Sequence, residues 1–234
     1  MPASRLALVA VLFFLGAALA GPPPRPPNRT VIIGFLGGFE RWNDEHRGVR
    51  RVALDLRARG DLDVIAETFG NHHRAAAIAF LRSLLDTNSD GKLDANERAS
   101  ARVVLYGQSW GGEAAVKAAR ELDSWGVPVL LTVQVDSVGL SDAVIPPNVR
   151  SAANFFQHDP FTIDGRREIR AADPARTEIL GNYEFTYLFR PVDSPGGSAS
   201  WLRRNLGGGH AKMELDPAVW AQVEGLILNA ITRK

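Results

Sequence analysis

From Thr30 onward, the hydrophobic pattern changes repeatedly between two forms. Short, continuous apolar runs rich in β-branched residues alternate with longer stretches in which apolar residues recur every three or four positions. The first form is typical of buried strands and the second of amphipathic helices, so the alternation predicts strands joined by crossover helices. We therefore expect an α/β fold with a mostly parallel central sheet and helices on both faces.

The individual elements follow from the same pattern. Strands are predicted at residues 31–33, 62–66, 103–106 and 128–135, with weaker candidates at 154–157 and 179–189, the last of which could belong to a hairpin. Helices are predicted at residues 44–59, 72–85 and 112–123, and a closing helix begins at Pro217. Asn71 and Asp216 precede two of these helices and have side chains that favour the N-cap position.

The first twenty residues stand apart from this pattern. Arg5 supplies a positive charge, residues 6–20 are apolar, and the small residues at 18–20 suit cleavage before Gly21, which together predict a secretory signal peptide. The run is shorter than the roughly 18–20 apolar residues of a membrane span, so no stable span is expected after cleavage. Residues 21–29 are proline-rich and predict an extended linker, which leaves residues 30–234 as one domain of a secreted or periplasmic protein.

Composition narrows the range of partners. The chain of 234 residues has 27 Lys and Arg against 26 Asp and Glu, and removing the predicted signal peptide, whose only charged residue is Arg5, leaves 26 against 26. This balance predicts no nucleic-acid partner, which would need a surface of one charge sign. The chain has no cysteine, so no disulfide and no cysteine-linked lipid is expected. A metal ion could stabilise an exported fold instead.

The segment 103–112 carries the clearest catalytic motif. An apolar run leads into GQSWG at residues 107–111, and an alanine-rich helical stretch follows. A serine between glycines at a strand-to-helix turn is typical of a nucleophile elbow, which exposes the hydroxyl at the edge of a parallel sheet. A serine hydroxyl needs a base to accept its proton, and the base needs an acid to orient it. Ser109 is therefore the candidate nucleophile.

The base and the acid are expected downstream of the nucleophile. His210 is the preferred base, because it follows three glycines and precedes the last helix, where the base of such an enzyme normally lies. His158 is the alternative. Asp136 is the preferred acid, since it ends the strand after the elbow helix and should reach the same crevice as Ser109. Three other acids remain open: Asp159, Asp164 and Asp193.

Backbone amides are the expected stabilisers of the oxyanion that forms during acyl transfer. One should be the amide of Trp110, and the other should come from the glycine-rich turn after the first strand, at Leu36 or Gly37. Aromatic residues near these turns could line an apolar acyl pocket: Phe35, Phe39, Trp42 and Trp110.

Residues 86–97 have the ligand spacing of an EF-hand calcium loop. Oxygen ligands fall at loop positions one, three, five, seven, nine and twelve, with a backbone carbonyl at seven: Asp86, Asn88, Asp90, Lys92, Asp94 and Glu97. Gly91 occupies position six, where the loop turns sharply. The loop has no second copy in the sequence, and a strand follows closely, so we expect a structural calcium clamp rather than a sensor.

Two motifs, GFLGG at residues 34–38 and GQSWG at residues 107–111, together with Asp136 and His210, resemble the α/β-hydrolase superfamily. Residues 86–97 resemble an EF-hand loop inserted before the elbow strand. The resemblance implies an exported, calcium-binding serine hydrolase that uses a Ser-His-Asp triad to cleave a carboxylic ester or thioester of a small molecule or a lipid. Two alternatives are a non-enzymatic calcium-binding protein on the same scaffold, and a peptidase or acyltransferase with the same triad.

Overall fold

A parallel sheet forms the centre of the molecule. The computed structural model describes residues 29–160, 163–192 and 208–233, so the predicted signal peptide and nearly all of the predicted linker lie outside the described residues. The described strands are β1 (Thr30–Leu36), β2 (Val64–Gly70), β3 (Val103–Gln108), β4 (Val129–Val135), β5 (Val144–Ile145), β6 (Val149–Gln157), β7 (Arg170–Ala171) and β8 (Glu178–Phe185). Six of them form one sheet in the order β2-β1-β3-β4-β6-β8, in which each pair of neighbours runs parallel, while β5 pairs with β7.

Helices cover both faces of the sheet. They are α1 (Gly48–Ala58), α2 (Arg74–Leu85), α3 (Ala95–Ser100), α4 (Trp110–Ser124), α5 (Gly209–Leu215) and α6 (Pro217–Thr232). Buried residues of α2 and α4 form one core with the sheet, and those of α1 and α6 form the other. The prediction of an α/β fold with a parallel central sheet is confirmed. Among the helices of the described ranges, none has the length and apolar character needed to cross a membrane.

Strand residues alternate between the two cores, because successive side chains of a strand point to opposite faces. In β1, Ile33 packs on the side of α2 and α4, whereas Ile32 packs on the side of α1 and α6. Tyr106 of β3 is fully buried on the latter side, and its hydroxyl donates to the carbonyl of Val49 in α1 (2.7 Å). Burial raises the pKa of the Tyr106 phenol, so it remains a hydrogen-bond donor.

Two strands extend beyond their predicted ranges because polar residues interrupt the apolar pattern. β2 lies at the edge of the sheet and continues to residue 70 rather than ending at 66, with Glu67 inside it. β6 begins at residue 149 rather than 154, because Arg150, its second residue, breaks the apolar run. β8 pairs in parallel with β6, so the predicted segment 179–189 does not form a hairpin with that strand. Helix α1 begins at Gly48, four residues after its predicted start at 44.

The two predicted helix caps have different outcomes. Asp216 caps α6 as predicted, since its carboxylate accepts from the amide of Ala218 (2.8 Å). The prediction that Asn71 caps the second helix is wrong, because the N-cap residue of α2 is His73. Asn71 instead lies in a short 3₁₀ turn, Asn71–His73, directly after β2. Its side-chain amide donates instead to carbonyls of the turn after β1.

Candidate active site

Ser109 lies in a strained turn between β3 and α4. Its backbone angles are φ 56° and ψ −126°, a conformation that costs a non-glycine residue about 1–3 kcal/mol. The Ser109 amide donates to the carbonyl of Val135 (2.9 Å), which extends the ladder between β3 and β4 by one residue. The serine is thereby fixed at the carboxyl edge of the sheet.

The glycines on either side of Ser109 are required by close packing. A methyl group on Gly107 would overlap the carbonyl of Gly111, and a methyl group on Gly111 would overlap the carbonyl of Phe35 in β1. Glycine is therefore the residue that lets the start of α4 approach both β3 and β1. The spacing of the GQSWG motif follows from this contact.

Three side chains that the sequence predicts as a triad form a continuous chain of hydrogen bonds. His210, at the start of α5, has its Nε2 atom 3.0 Å from the Ser109 hydroxyl and its Nδ1 atom 2.6 Å from a carboxylate oxygen of Asp136. The Asp136 side chain is fully buried, while that of His210 is 20% exposed. The imidazole can therefore accept the serine proton while the carboxylate fixes its orientation. Gln108 also approaches the imidazole, with its amide nitrogen 3.4 Å from Nε2.

Asp136 has further hydrogen-bond donors that the sequence analysis missed. One carboxylate oxygen accepts from the amides of Gln157 (3.3 Å) and Gly165 (3.0 Å), and the other accepts from the side-chain amide of Gln157 (3.1 Å). A buried carboxylate needs such donors, because it has lost its hydration. Asp136 lies one residue beyond β4 with φ 45°, and its own amide donates to the carbonyl of Phe155 (2.7 Å). No local motif identifies Gln157 or Gly165, since both belong to segments that follow much later in the chain.

The alternative base and acids have other partners. His158 is exposed, and its Nδ1 atom lies 2.7 Å from Asp164, which is also near Arg167. Asp159 accepts from the amide of Tyr187 (2.8 Å), which lies two residues beyond β8. Asp193 lies outside the described residues. The geometry therefore favours His210 over His158, and Asp136 over Asp159 and Asp164.

The predicted oxyanion donors lie around Ser109. Trp110 is the first residue of α4, where the backbone amides have no acceptor within the helix and the helix dipole favours negative charge. Gly37 is so close to Ser109 that a methyl group on it would lie 2.8 Å from the serine Cβ and 2.5 Å from the side-chain oxygen of Gln108. Leu36 is the last residue of β1 and pairs with Gly70 of β2.

The aromatic residues predicted to line an acyl pocket fall into two groups. Phe35 is fully buried in the core. Phe39, Trp42 and Trp110 are exposed, and the rings of Phe39 and Trp110 meet edge to face at 6.2 Å. Four other large apolar side chains are exposed in the described part of the chain: Leu140, Ile163, Leu188 and Phe189. All seven exposed side chains follow the carboxyl ends of parallel strands and therefore lie at the same edge of the sheet as Ser109.

The predicted calcium loop, residues 86–97, connects α2 to α3. Its acidic side chains bond to the loop's own backbone. Asp86 accepts from the amide of Gly91 (2.8 Å), and Glu97 accepts from the amides of Thr87 (2.7 Å) and Asp94 (3.0 Å). The hydrogen bond from the Asp94 amide, followed by those from Thr87, lowers the pKa of Glu97. Glu97 is therefore ionised and joins the two ends of the loop.

The donor set of this loop suits calcium by its chemistry, since all six predicted ligands offer hard oxygen atoms. In the described ranges, however, no group of three or more His, Cys, Asp or Glu side chains is arranged to hold a metal ion. The predicted set also includes the Asn88 amide and the Lys92 carbonyl. Calcium binding by this loop stays a prediction.

Comparisons with known proteins leave the function open. No protein-family model matches the chain, and no curated protein matches it. Among solved structures, the chain is similar to a Pseudomonas aeruginosa protein described as uncharacterized, with a TM-score of 0.43 and 12% identity, over 67% of this chain and 40% of that one. The chain thus spans about 40% of the length of that structure. Nothing about function follows from a likeness at this level.

Proposed function

We propose that this protein is an exported serine hydrolase of the α/β-hydrolase type that cleaves carboxylic esters or thioesters. The observation that carries the proposal is the hydrogen-bonded chain from Ser109 through His210 to Asp136, with distances of 3.0 Å and 2.6 Å. The strained conformation of Ser109 is a second support, because strain of this kind concentrates at functional sites.

The reaction would begin when His210 Nε2 accepts the proton of the Ser109 hydroxyl as its oxygen attacks the substrate carbonyl. The resulting oxyanion would be stabilised by backbone amides, with that of Trp110 as one donor. His210 would then give the proton to the leaving alcohol or thiol, which departs as the acyl group remains on Ser109. Water, giving its proton to His210, would then attack the acyl carbon, and the bond from that carbon to Ser109 would break as His210 returns the proton to the serine oxygen, which releases the carboxylic acid. Asp136 would hold the imidazole in the required tautomer throughout.

The surroundings of Ser109 favour an apolar substrate. Seven large apolar side chains are exposed in the described residues, and all of them lie in segments that follow parallel strands at the edge of Ser109. Apolar area exposed to water at one edge is costly unless a ligand covers it. We therefore propose an ester with an apolar acyl chain, of a small molecule or a lipid.

Covalent labelling tests this function. A fluorophosphonate probe should label the wild-type protein at Ser109, and Ser109→Ala or His210→Ala should abolish labelling, because the probe reacts only with an activated serine. His158→Ala is the matched control and should leave labelling unchanged, since that histidine is exposed and pairs with Asp164 and Arg167. A folded wild-type protein that remains unlabelled would refute the proposal.

We further propose that residues 86–97 bind calcium as a structural clamp. The loop's hydrogen bonds already join Glu97 to the first residues of the loop, and α3, which begins within it, leads directly to β3 and Ser109. When bound, calcium would supply positive charge that neutralises the carboxylates. Asp86, Asn88, Asp90, Lys92 through its carbonyl, Asp94 and Glu97 would hold it.

Thermal unfolding tests the calcium clamp. Added calcium should raise the Tm relative to a chelator, and the rise should disappear in Glu97→Gln. Equal Tm values with calcium and with chelator would contradict the clamp. A calcium-dependent Tm in a protein that no probe labels would favour the alternative, a non-enzymatic calcium-binding protein.

A further inference from the structure

Asn71 contacts the turn that is predicted to bind the oxyanion. It lies directly after β2, and its side-chain amide donates to the carbonyl of Leu36 (3.2 Å) and to the carbonyl of Gly38 (2.5 Å). These two carbonyls lie on either side of Gly37. One side chain therefore fixes two of the three peptide groups of the turn.

The direction of these carbonyls determines the direction of the amides. In a planar trans peptide the carbonyl and the following N–H point in opposite directions, and no described peptide bond is cis. The Gly37 N–H therefore points away from Asn71, as does the N–H of Phe39. In the sheet, β1 lies between β2 and β3. Because Asn71 follows β2 and Ser109 follows β3, pointing away from Asn71 means pointing towards the serine.

The rest of the turn is fixed by other contacts. The remaining carbonyl, that of Gly37, accepts from the amide of Glu40 (3.2 Å). The side chain of Glu40 pairs with Arg47 (2.6 Å), which also pairs with Glu214 in α5 (2.5 Å). Gly37 itself lies against Ser109, where a methyl group on it would be 2.8 Å from the serine Cβ. The turn is therefore held near the nucleophile in one orientation.

We propose that Asn71 is a positioning residue that aims the Gly37 amide at the oxyanion. This inference rests on the proposed function, and it selects Gly37 over Leu36 as the second donor. A donor that already points at the site needs no reorganisation when the negative charge forms, so it stabilises the transition state more than the bound substrate. Asn71 acts through the turn and does not touch the substrate.

Kinetics of Asn71 variants test the proposal. In Asn71→Ala the two carbonyls lose their donor, and in Asn71→Asp a carboxylate would repel them. Hydrolysis of p-nitrophenyl butyrate should show kcat lowered by about 10–100-fold with KM nearly unchanged, less than the roughly 10²–10³-fold loss on removing an oxyanion donor entirely. The Ki of a trifluoromethyl ketone, which forms an oxyanion adduct with the serine, should rise by a similar factor. Asn71→Gln retains both donors and should recover part of the loss.

Asn148 provides a matched control. Its side-chain amide also donates to two carbonyls, those of Ala119 and Val127 (both 2.9 Å), but it lies before β6, at the opposite edge of the sheet. Asn148→Ala should lower the Tm by an amount similar to Asn71→Ala while leaving kcat and the ketone Ki unchanged. If Asn71→Ala does not fold, Asn71→Asp replaces it in the comparison.

The outcomes separate the inference from the proposed function. If the probe labels wild-type Ser109 but folded Asn71 variants keep the wild-type kcat and ketone Ki, the positioning role is wrong and the hydrolase proposal stands. If kcat and the ketone Ki change as much in Asn148→Ala as in Asn71→Ala, the effect is one of general stability and the positioning role is again wrong. If the wild type is not labelled, the hydrolase proposal itself fails.

Discussion

The Asp136→Asn substitution tests whether the hydrogen-bond donors around this buried side chain require a carboxylate. The carboxylate accepts from two backbone amides and from the side-chain amide of Gln157. It also accepts from His210 when that imidazole carries its proton on Nδ1, so all four of these partners are then donors. Asparagine offers one oxygen and one NH₂ group in the same space. If the oxygen keeps the amides of Gln157 and Gly165, the NH₂ group faces two further donors.

A change of tautomer at His210 removes one of these two donors from the asparagine NH₂ group. Its Nδ1 atom would then accept from asparagine, and Nε2 would carry the proton and could no longer accept one from Ser109. By analogy with other serine triads, kcat should fall by about 10³–10⁴-fold, or about 4–5.5 kcal/mol in the activation barrier. Loss of a charged hydrogen bond should lower the free energy of unfolding by about 1.5–3 kcal/mol.

The assay compares Asp136→Asn with Asp164→Asn, because Asp164 belongs to a second Asp-His pair of similar length, 2.7 Å, at the surface. Steady-state ester hydrolysis gives kcat, and urea unfolding gives the free energy of unfolding. Asp164→Asn should leave both nearly unchanged. The reasoning fails if Asp164→Asn loses activity, or if folded Asp136→Asn retains it.

Three further predictions concern the packing and the charges of the fold. Gly111→Ala places a methyl group against the β1 backbone, so it should slow probe labelling strongly and lower the unfolding free energy by about 1–3 kcal/mol. Its control is Gly225→Ala in α6, where the methyl group meets nothing within 4 Å and should be neutral or stabilising. Similar effects of the two substitutions would contradict the packing argument. Arg47→Met removes the guanidinium that pairs with the buried Glu214 carboxylate and should lower the unfolding free energy by about 3 kcal/mol in urea titrations. A loss within error of zero would argue against this ion pair. The folded pKa of Glu97 lies below the ordinary value of 4.5, so the stability that its carboxylate contributes is complete above that value and is lost as the pH falls through the lowered pKa. The difference in unfolding free energy between wild type and Glu97→Gln, measured with chelator, should therefore shrink in acid. A difference that grows in acid would contradict the lowered pKa.

The parts of the fold that the sequence predicts best are those with two buried faces. β3 and β4 are mostly apolar because both of their faces contact helices, and their predicted ranges differ little from the observed ones. β2 and β6 were predicted only in part, because Glu67 and Arg150 interrupt their apolar runs. The parallel pairing of β8 with β6 depends on contacts between distant segments, which no local pattern reveals.

The same distinction applies to the site. Ser109, Asp136 and His210 could be proposed from the sequence because chain order and strand ends bring such residues to one edge of a parallel sheet. Their supports could not. Asn71 is a residue type that favours helix caps, yet its side-chain amide donates to the carbonyl of Leu36, 35 residues earlier in the chain. A side chain with several feasible partners is assigned by the tertiary structure rather than by its neighbours in sequence.

The two ladder bonds made by Ser109 and Asp136 have a consequence for how such a site can change over time. Each residue lies one position beyond its strand and donates to the adjacent strand, to Val135 and to Phe155 respectively. Their separation is therefore set by the spacing between neighbouring strands, about 4.8 Å, and not by the loops that follow them. Six of the seven exposed apolar side chains lie in segments that follow β1, β4, β6 and β8. If the protein is the proposed hydrolase, insertions or substitutions there can alter which ester is bound while Ser109 and Asp136 keep their alignment, so substrate range and chemistry would be separable in this scaffold.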